Sequence, residues 1–196
     1  MKAFIQPSYR QATADDAPFL AKCVREVSHG VVDGLLEGVL PGLDAEAILS
    51  MVLRDASSQY SYKNCVLTEQ GASILALLFC YPASAQTIPP MMRVMLPAAR
   101  LTSYTDIVTA VVPESLYINT IWVDPSVRGQ GLADVLLDYA AFFAKESGLT
   151  KLSLLAWRDN SRALAFYAKH GFTTVRSVQV PESLEGGADL YERLLV

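Results

Sequence analysis

The sequence predicts an α/β (α+β) fold: a mixed, mostly antiparallel central sheet flanked by helices, with one parallel pair of strands. Three observations predict it. Apolar runs of strand length, rich in aromatic and β-branched residues, alternate with segments whose apolar residues recur at helical spacing. Two of the runs, "NCVLTEQ" and "SILALLFCYP", stand either side of Gly71 and read as an antiparallel hairpin. In the last third, strand, helix, strand, helix and strand follow in order, and such a crossover makes the first two strands parallel. The 196 residues are 52% apolar and only 18% charged, a composition that supports a sizeable core and argues against disorder.

The elements can be justified in order. "YRQATADDAPFLAKCVREVS" gives a short strand and then a helix, with Thr13, Asp15 or Asp16 as cap and Pro18 tolerated in the first turn. Phe19, Leu20, Cys23, Val24 and Val27 form its apolar face. "HGVVDGLLEGVLPG" reads as short helical pieces joined by turns, and Asp44 caps a helix running to about residue 57. After the hairpin, residues 83–115 are the least regular stretch. They are expected to form helical turns over a face of the sheet, and a long connection of this kind is often functional. "LYINTIWV" is a strand. "LADVLLDYAAFFAKES" is a helix with Leu132, Val135, Leu136, Tyr139, Ala140 and Phe143 on one face, and Gly148 ends it. "KLSLLAW" is a strand buried on both sides, and "NSRALAFYAKH" is a helix opened by Asn160 and closed by Gly171. "FTTVRSVQV" and "DLYERLLV" finish as an antiparallel pair.

Composition narrows the chemistry. A formal net charge of -4 gives no electrostatic footprint for nucleic acid. No apolar run has the ~18 residues of a membrane helix, and "MKAFIQPSYRQAT" lacks the long apolar centre of a signal peptide, so the expected location is cytoplasmic. Cys23, Cys65 and Cys80 are widely spaced and read as buried free thiols. His29 and His170 are the only histidines, too few for a histidine-rich metal site, and none is expected.

The segment "VDPSVRGQGLADVLL", residues 123–137, carries the sharpest signal. It places glycines where a helix must begin. A helix start offers unpaired N–H groups and the positive end of the helix dipole, and glycine lets the backbone come close to a large anion. With Arg128 at the rim, strand, glycine turn and helix make a site for phosphate or pyrophosphate. No G-x-x-x-x-G-K-[ST] is present, and the G-x-G-x-x-G setting of a dinucleotide fold is lacking.

"RGQGLA" resembles the Q/R-x-x-G-x-G/A motif of the GNAT superfamily of N-acetyltransferases, with Arg128, Gly131 and Ala133 in its fixed places. "YINTIWVDPSV" is similar to that family's central strand, which carries a bulge and runs into a V-x-P step. "LSLLAWRDNSRALAFYAKHGFTTV" resembles its second signature: a strand, an Asn at the next helix start, Ala and Tyr along it, then Gly-Phe. Together they span residues 117 to about 180.

The resemblance implies a single acetyltransferase domain over residues 1–196, with a cofactor-binding core at 116–180. It also implies acetyl-CoA as co-substrate, with no metal. The main chain of Arg128, Gly129, Gln130, Gly131, Leu132 and Ala133 would hold the pyrophosphate, and Ile121, Trp122 and Val123 would pair with the pantetheine arm in a wedge between two diverging strands. Trp122 and Trp157 are core or wall residues. Asn160 would contact the arm, cap its helix, or both. Tyr167, seven residues on and facing the same side, is the general-acid candidate. The N–H of Val123 would serve the oxyanion. The glutamate that many family members carry on the central strand is replaced here by Tyr117, Asn119 and Thr120. Glu114 is the nearest carboxylate; Glu37, Asp33 or a water relay through Asn119 or Tyr117 are alternatives. Residues 28–57 and 83–115 would form acceptor-side insertions. Their apolar composition favours a small, partly apolar amine, although the same residues, Met91, Met92 and Met95 among them, could pack the domain or a dimer interface. The expected partners are acetyl-CoA and such an amine, with the chain a monomer or homodimer and no nucleic acid or membrane involved. The alternative is a catalytically silent acetyl-CoA-binding sensor or regulatory module.

Overall fold

The architecture was read from a computed structural model and is described for residues 7–195. The extreme N-terminus, on which part of the signal-peptide reading rests, lies outside the described residues. Seven strands form one sheet: β1 (Ser8–Gln11), β2 (Cys65–Gln70), β3 (Ser73–Pro82), β4 (Ser115–Val123), β5 (Lys151–Trp157), β6 (Thr173–Val178) and β7 (Ala188–Leu194), in the spatial order β1-β2-β3-β4-β5-β7-β6. Every neighbouring pair is antiparallel except β4 and β5. The helices are α1 (Ala17–Val27), α2 (Val31–Leu36), α3 (Ala45–Arg54), α4 (Pro90–Met95), α5 (Ala98–Thr109), α6 (Leu132–Glu146) and α7 (Ser161–Lys169). Both expected hairpins and the parallel crossover pair are present. The helix capped by Asp44 ends at Arg54, short of residue 57, and the irregular stretch 83–115 contains a full three-turn helix, α5.

The sheet separates two apolar layers. One packs α1, α2, α3 and α5 against Leu67, Leu77, Phe79, Tyr81 and Trp122; the other packs α6 against Leu78, Ile118, Leu152 and Leu154. The buried stripe of α6 is Leu136, Leu137, Ala140 and Ala144, whereas Val135 is exposed. The expected face was rotated by one position, because Leu136 and Leu137 both reach the sheet and the aromatic side chains of Tyr139 and Phe143 lie along its flank. Gly34 answers a packing need: a Cβ there would lie 1.8 Å from the hydroxyl of Tyr104, so only glycine lets α2 approach α5. Arg176 then ties α5 to β6 through two bonds to Asp106, of 2.9 and 2.7 Å.

At the edge of the sheet Arg10 joins three segments. It donates to Asp16 at 2.8 Å and to Glu69 at 2.8 Å, while the Asp16 carboxylate also accepts from the Thr13 N–H at 2.7 Å. The guanidinium, helped by Thr13, holds the Asp16 carboxyl down to about 2. A depressed carboxylate stabilises above its unfolded pKa and loses that contribution as pH falls through its folded one. Because Arg10 is partly exposed, the contribution is discounted to about 1–2 kcal/mol. Asp16→Asn is therefore expected to lower the melting temperature by roughly 5 °C at neutral pH. The gap between variant and parent should close as pH drops from about 4 to 2; parallel thermal melts check both.

Candidate active site

The parallel pairing of β4 and β5 stops half way. Ser115 to Ile118 face Lys151 to Leu154, and beyond that point the two strands have no mutual partners. β4 stays bound to β3 as far as Val123, and β5 stays bound to β7 as far as Trp157, so the sheet opens between them. The cause lies in β4. Thr120 faces Phe79 and Ile118 faces Cys80, leaving Asn119 as a bulge residue that bends the strand. At the closed end, the buried hydroxyls of Ser115 and Ser153 meet at 2.6 Å. Asp124 N–H donates to Leu75 O on β3 at 2.9 Å, so strand alternation turns the N–H of Val123 toward the gap.

The glycine turn closes the open end. Asp124 accepts from the N–H of Ser126 at 2.9 Å and shapes the step after Pro125. Gly129 and Gly131 both have φ 83, and a Cβ on either would point into open space. The first helical bond of α6 runs from Val135 N to Gly131 O at 3.1 Å, and no side chain caps the helix. The preceding N–H groups are thus left for an external acceptor. Arg128 is held beside them. Its Nε donates to Val123 O at 2.9 Å and its terminal nitrogen reaches Glu26 at 3.3 Å. Glu26 in turn accepts from the Trp122 indole at 2.9 Å. Asp134, in the first turn of α6, is neutralised locally: Lys169 at 3.2 Å and His170 at 3.0 Å hold its carboxyl below the ordinary range.

α7 forms the other wall. Asn160 caps it by accepting from Ala163 N–H at 3.1 Å through its side-chain oxygen, and it lines the cleft. Tyr167 lies on the same face, its ring edge-on to Phe166 and Phe172, both at 5.4 Å. Burial pushes its phenol up to about 12, so it stays protonated throughout the neutral range. Turn, split strands and α7 enclose a cleft of about 430 Å3.

A second, smaller cavity of about 150 Å3 adjoins it, between the sheet and α1, α2, α3 and α5. Its wall is mainly apolar, with Val31, Leu35, Val52, Met92 and Ile107 among the lining residues, and it includes no carboxylate and no cationic side chain. The polar atoms come from Ser28, Tyr60, Gln86, Thr87, Tyr117, Asn119 and Thr120. Burial keeps Tyr60 and Tyr117 neutral by raising their phenols. Gln86 donates to Val108 O, but its side-chain oxygen is buried without a partner. The cavities meet at Val27, which lines both, and at the neighbours Ser28 and His29, and Thr120 and Ile121.

Of the residues expected around an anionic ligand, Ile121, Trp122, Val123, Arg128, Gly129, Gly131, Leu132, Ala133, Asn160 and Tyr167 line one cleft. Gln130 is exposed and does not line it. Glu114 stands elsewhere. It precedes β4 at the closed end of the split, lines neither cavity and has φ 60. Asp33 is bound to Arg25 at 2.7 Å and Glu37 to the Ala45 N–H at 3.3 Å, away from both cavities. The thiols of Cys23 and Cys80 are pushed up to about 12 by burial, which suits inert core residues. Among the described residues no cluster of His, Cys, Asp and Glu is placed to hold a metal ion, and no helix is long and apolar enough to cross a membrane. Glu26, His29 and Arg162 also line the cleft and carried no local signal, because the fold brings the end of α1 over the split only through long-range packing.

The model of the acetyltransferase (GNAT) family matches residues 98–172, from the start of α5 to the end of the α7 turn. No curated protein matches the sequence. Among solved structures, one described as an acetyltransferase is similar at TM-score 0.68 and 23% identity, over 96% of this chain and 100% of its own. An N-acetyltransferase from Staphylococcus aureus Mu50 is similar at TM-score 0.67 and 20% identity, over 96% of this chain and 100% of its own. PaiA N-acetyltransferase from Thermoplasma acidophilum, in complex with coenzyme A, is similar at TM-score 0.53 and 13% identity, over 96% and 99%. The family model spans residues 98–172, and the solved structures, at 23% identity or less, show the fold: the chain has the fold of N-acetyltransferases and carries the GNAT pattern across its cofactor-side third.

Proposed function

We propose that this protein moves an acetyl group from acetyl-CoA to the primary amine of a small, largely apolar molecule, by direct attack in a ternary complex. The observation that carries the reading is the adjacency of two unlike cavities. One has an anion-binding turn and free strand edges; the other is apolar and lacks charge. That a structural neighbour is in complex with coenzyme A supports this ligand for the larger cleft.

In this reading the N–H groups of residues 128–133, with Arg128 and Arg162 at the rim, bind the diphosphate and its neighbouring negative charge. The open strand edge at Ile121–Val123 runs beside the pantetheine arm and pairs with its amides through Ile121, as an added strand would, while Val123 O stays bonded to Arg128. Asn160 bonds the arm with its NH2 group. The Val123 N–H stabilises the oxyanion, and Tyr167 donates to the forming thiolate. Segments 28–57 and 83–115 form the acceptor side. Its cavity has room on the order of one aromatic ring. The unpartnered oxygen of Gln86 favours an acceptor with one N–H or O–H on its body, since a buried acceptor left unmet costs about 1–3 kcal/mol.

A silent cofactor-binding module is the second reading, favoured by one feature: β4 offers Asn119 and Thr120 at the split and no carboxylate. Thiol release distinguishes the two. With acetyl-CoA and 2-phenylethylamine, tyramine, spermidine and lysine as acceptors, the two arylalkylamines are expected to be used at least about 10-fold better in kcat/KM than the polycation or the zwitterion, whose charges the cavity cannot solvate. Saturable CoA binding without thiol release for any amine would establish the module instead.

A further inference from the structure

The reaction needs a proton acceptor, and the strand position at which a carboxylate is expected carries none. We propose that His29 is the general base; the proposal rests on the acetyl-transfer reading above. Its place is the first reason. His29 lines the cofactor cleft, while the residue before it, Ser28, lines the apolar cavity. Its ring stacks on Trp157 at 5.2 Å, and Trp157 lines the apolar cavity too. The imidazole therefore stands on the boundary that an attacking nitrogen must cross.

Its surroundings are the second reason. Asp159, in the turn between β5 and α7, has Oδ1 3.9 Å from His29 Nδ1. At this distance the contact is one of charge and not a hydrogen bond; the carboxylate's field favours the proton on Nδ1, the nearer nitrogen, which leaves Nε2 as the accepting one. The other ionisable groups of the cleft are engaged or unsuited. Glu26 is bonded to Trp122 and faces Arg128; Asp134 is bonded to Lys169 and His170. Arg128 and Arg162 are permanent cations, and the Tyr167 phenol is held protonated. Histidine is the side chain whose charge changes between about pH 5 and 8.

The backbone is the third reason. His29 has φ 49 and Gly30 has φ 83, two consecutive left-handed residues. A non-glycine residue in that region is uncommon, costs on the order of 1 kcal/mol and clusters at functional sites. Here the turn carries the imidazole from the end of α1 to the ring of Trp157.

The step balances simply. The substrate ammonium first gives one proton to solvent. His29 Nε2 then takes the second nitrogen proton as the neutral amine forms the new N–C bond and the C–S bond breaks. Tyr167 protonates the departing sulfur. His29 passes its proton to solvent, from which Tyr167 regains its own; the net release is one proton.

The test is a pH–rate profile with acetyl-CoA and 2-phenylethylamine, for the parent and for His29→Asn, because asparagine tolerates the left-handed backbone. The parent is expected to show log kcat/KM falling with slope two below an imidazole limb and slope one above it, the second slope being the amine's own ionisation. The variant should keep slope one throughout and lose about 30-fold at pH 7.5, a modest loss because water reaches this half-exposed site. Acetyl-CoA affinity, by calorimetry, should stay within about twofold. A variant that loses activity but keeps both slopes, or loses less than about threefold, overturns the base role while leaving the acetyltransferase reading intact. A parent that binds acetyl-CoA but releases no thiol with any of the four amines overturns both.

Discussion

Replacing Gly131 by valine is expected to weaken acetyl-CoA binding at least about 100-fold while leaving the fold in place. Two features of the turn give this result. Gly131 has φ 83, which a β-branched residue adopts only with strain, so the chain would relax toward negative φ and turn the N–H groups of residues 131–133 away from their common focus. A Cβ would also project into the open space before the helix start, where the bound diphosphate is proposed to sit. Charge-assisted bonds from backbone N–H to an anion contribute about 1.5–3 kcal/mol each, so misdirecting two of them accounts for a 100-fold loss or more. The turn lies on the surface and an added Cβ at Gly131 would meet nothing within 4 Å, so the core should not notice. Calorimetric titration with acetyl-CoA, beside far-ultraviolet circular dichroism, measures both. Unchanged affinity in a folded variant would remove the anion role from this turn.

The contrast between what could be read from the sequence and what could not follows chain distance. The turn at residues 123–137, the strand before it and the Asn160–Tyr167 face are local patterns, and the structure brings them to one cleft as their spacing requires. The split of β4 from β5 was expected from the resemblance alone. Its physical agent, the β4 bulge, was implied by the same resemblance; that it falls at Asn119 depends on the register against β3, which no local pattern fixes. Glu114 failed for the opposite reason. It is near the central strand in sequence, but a strand rises about 3.3 Å per residue, so eight residues carry the open end of the split far from it. His29 and Glu26 were invisible as site residues because nothing in "REVSHG" says that the end of α1 folds over a gap opened some 90 residues later. The exposure of Val135 shows the same limit on a smaller scale. Helical spacing defines a face to within about one residue, and only the neighbour it packs on fixes the rest.

Tyr167→Phe is expected to lower kcat by about 100- to 1000-fold, the range for a positioned proton donor, with acetyl-CoA affinity within about twofold of the parent. The ring keeps its edge-on contacts to Phe166 and Phe172 when the hydroxyl is removed, so packing and cleft shape are retained. What is lost is the one phenol on the cleft face of α7. Burial raises that phenol to about 12. A tyrosine raised in this way is neutral below its folded pKa, so it adds no limb to the rate profile anywhere between pH 5 and about 10. The variant should therefore be slower by one constant factor across that window, unlike His29→Asn, which changes the slope. A thioester with a better leaving thiol needs less help from a donor, so acetyl esters of thiophenol-like CoA analogues should narrow the deficit several-fold. Equal losses in kcat and in acetyl-CoA affinity, or a deficit indifferent to the leaving thiol, would instead make Tyr167 a wall of the cleft.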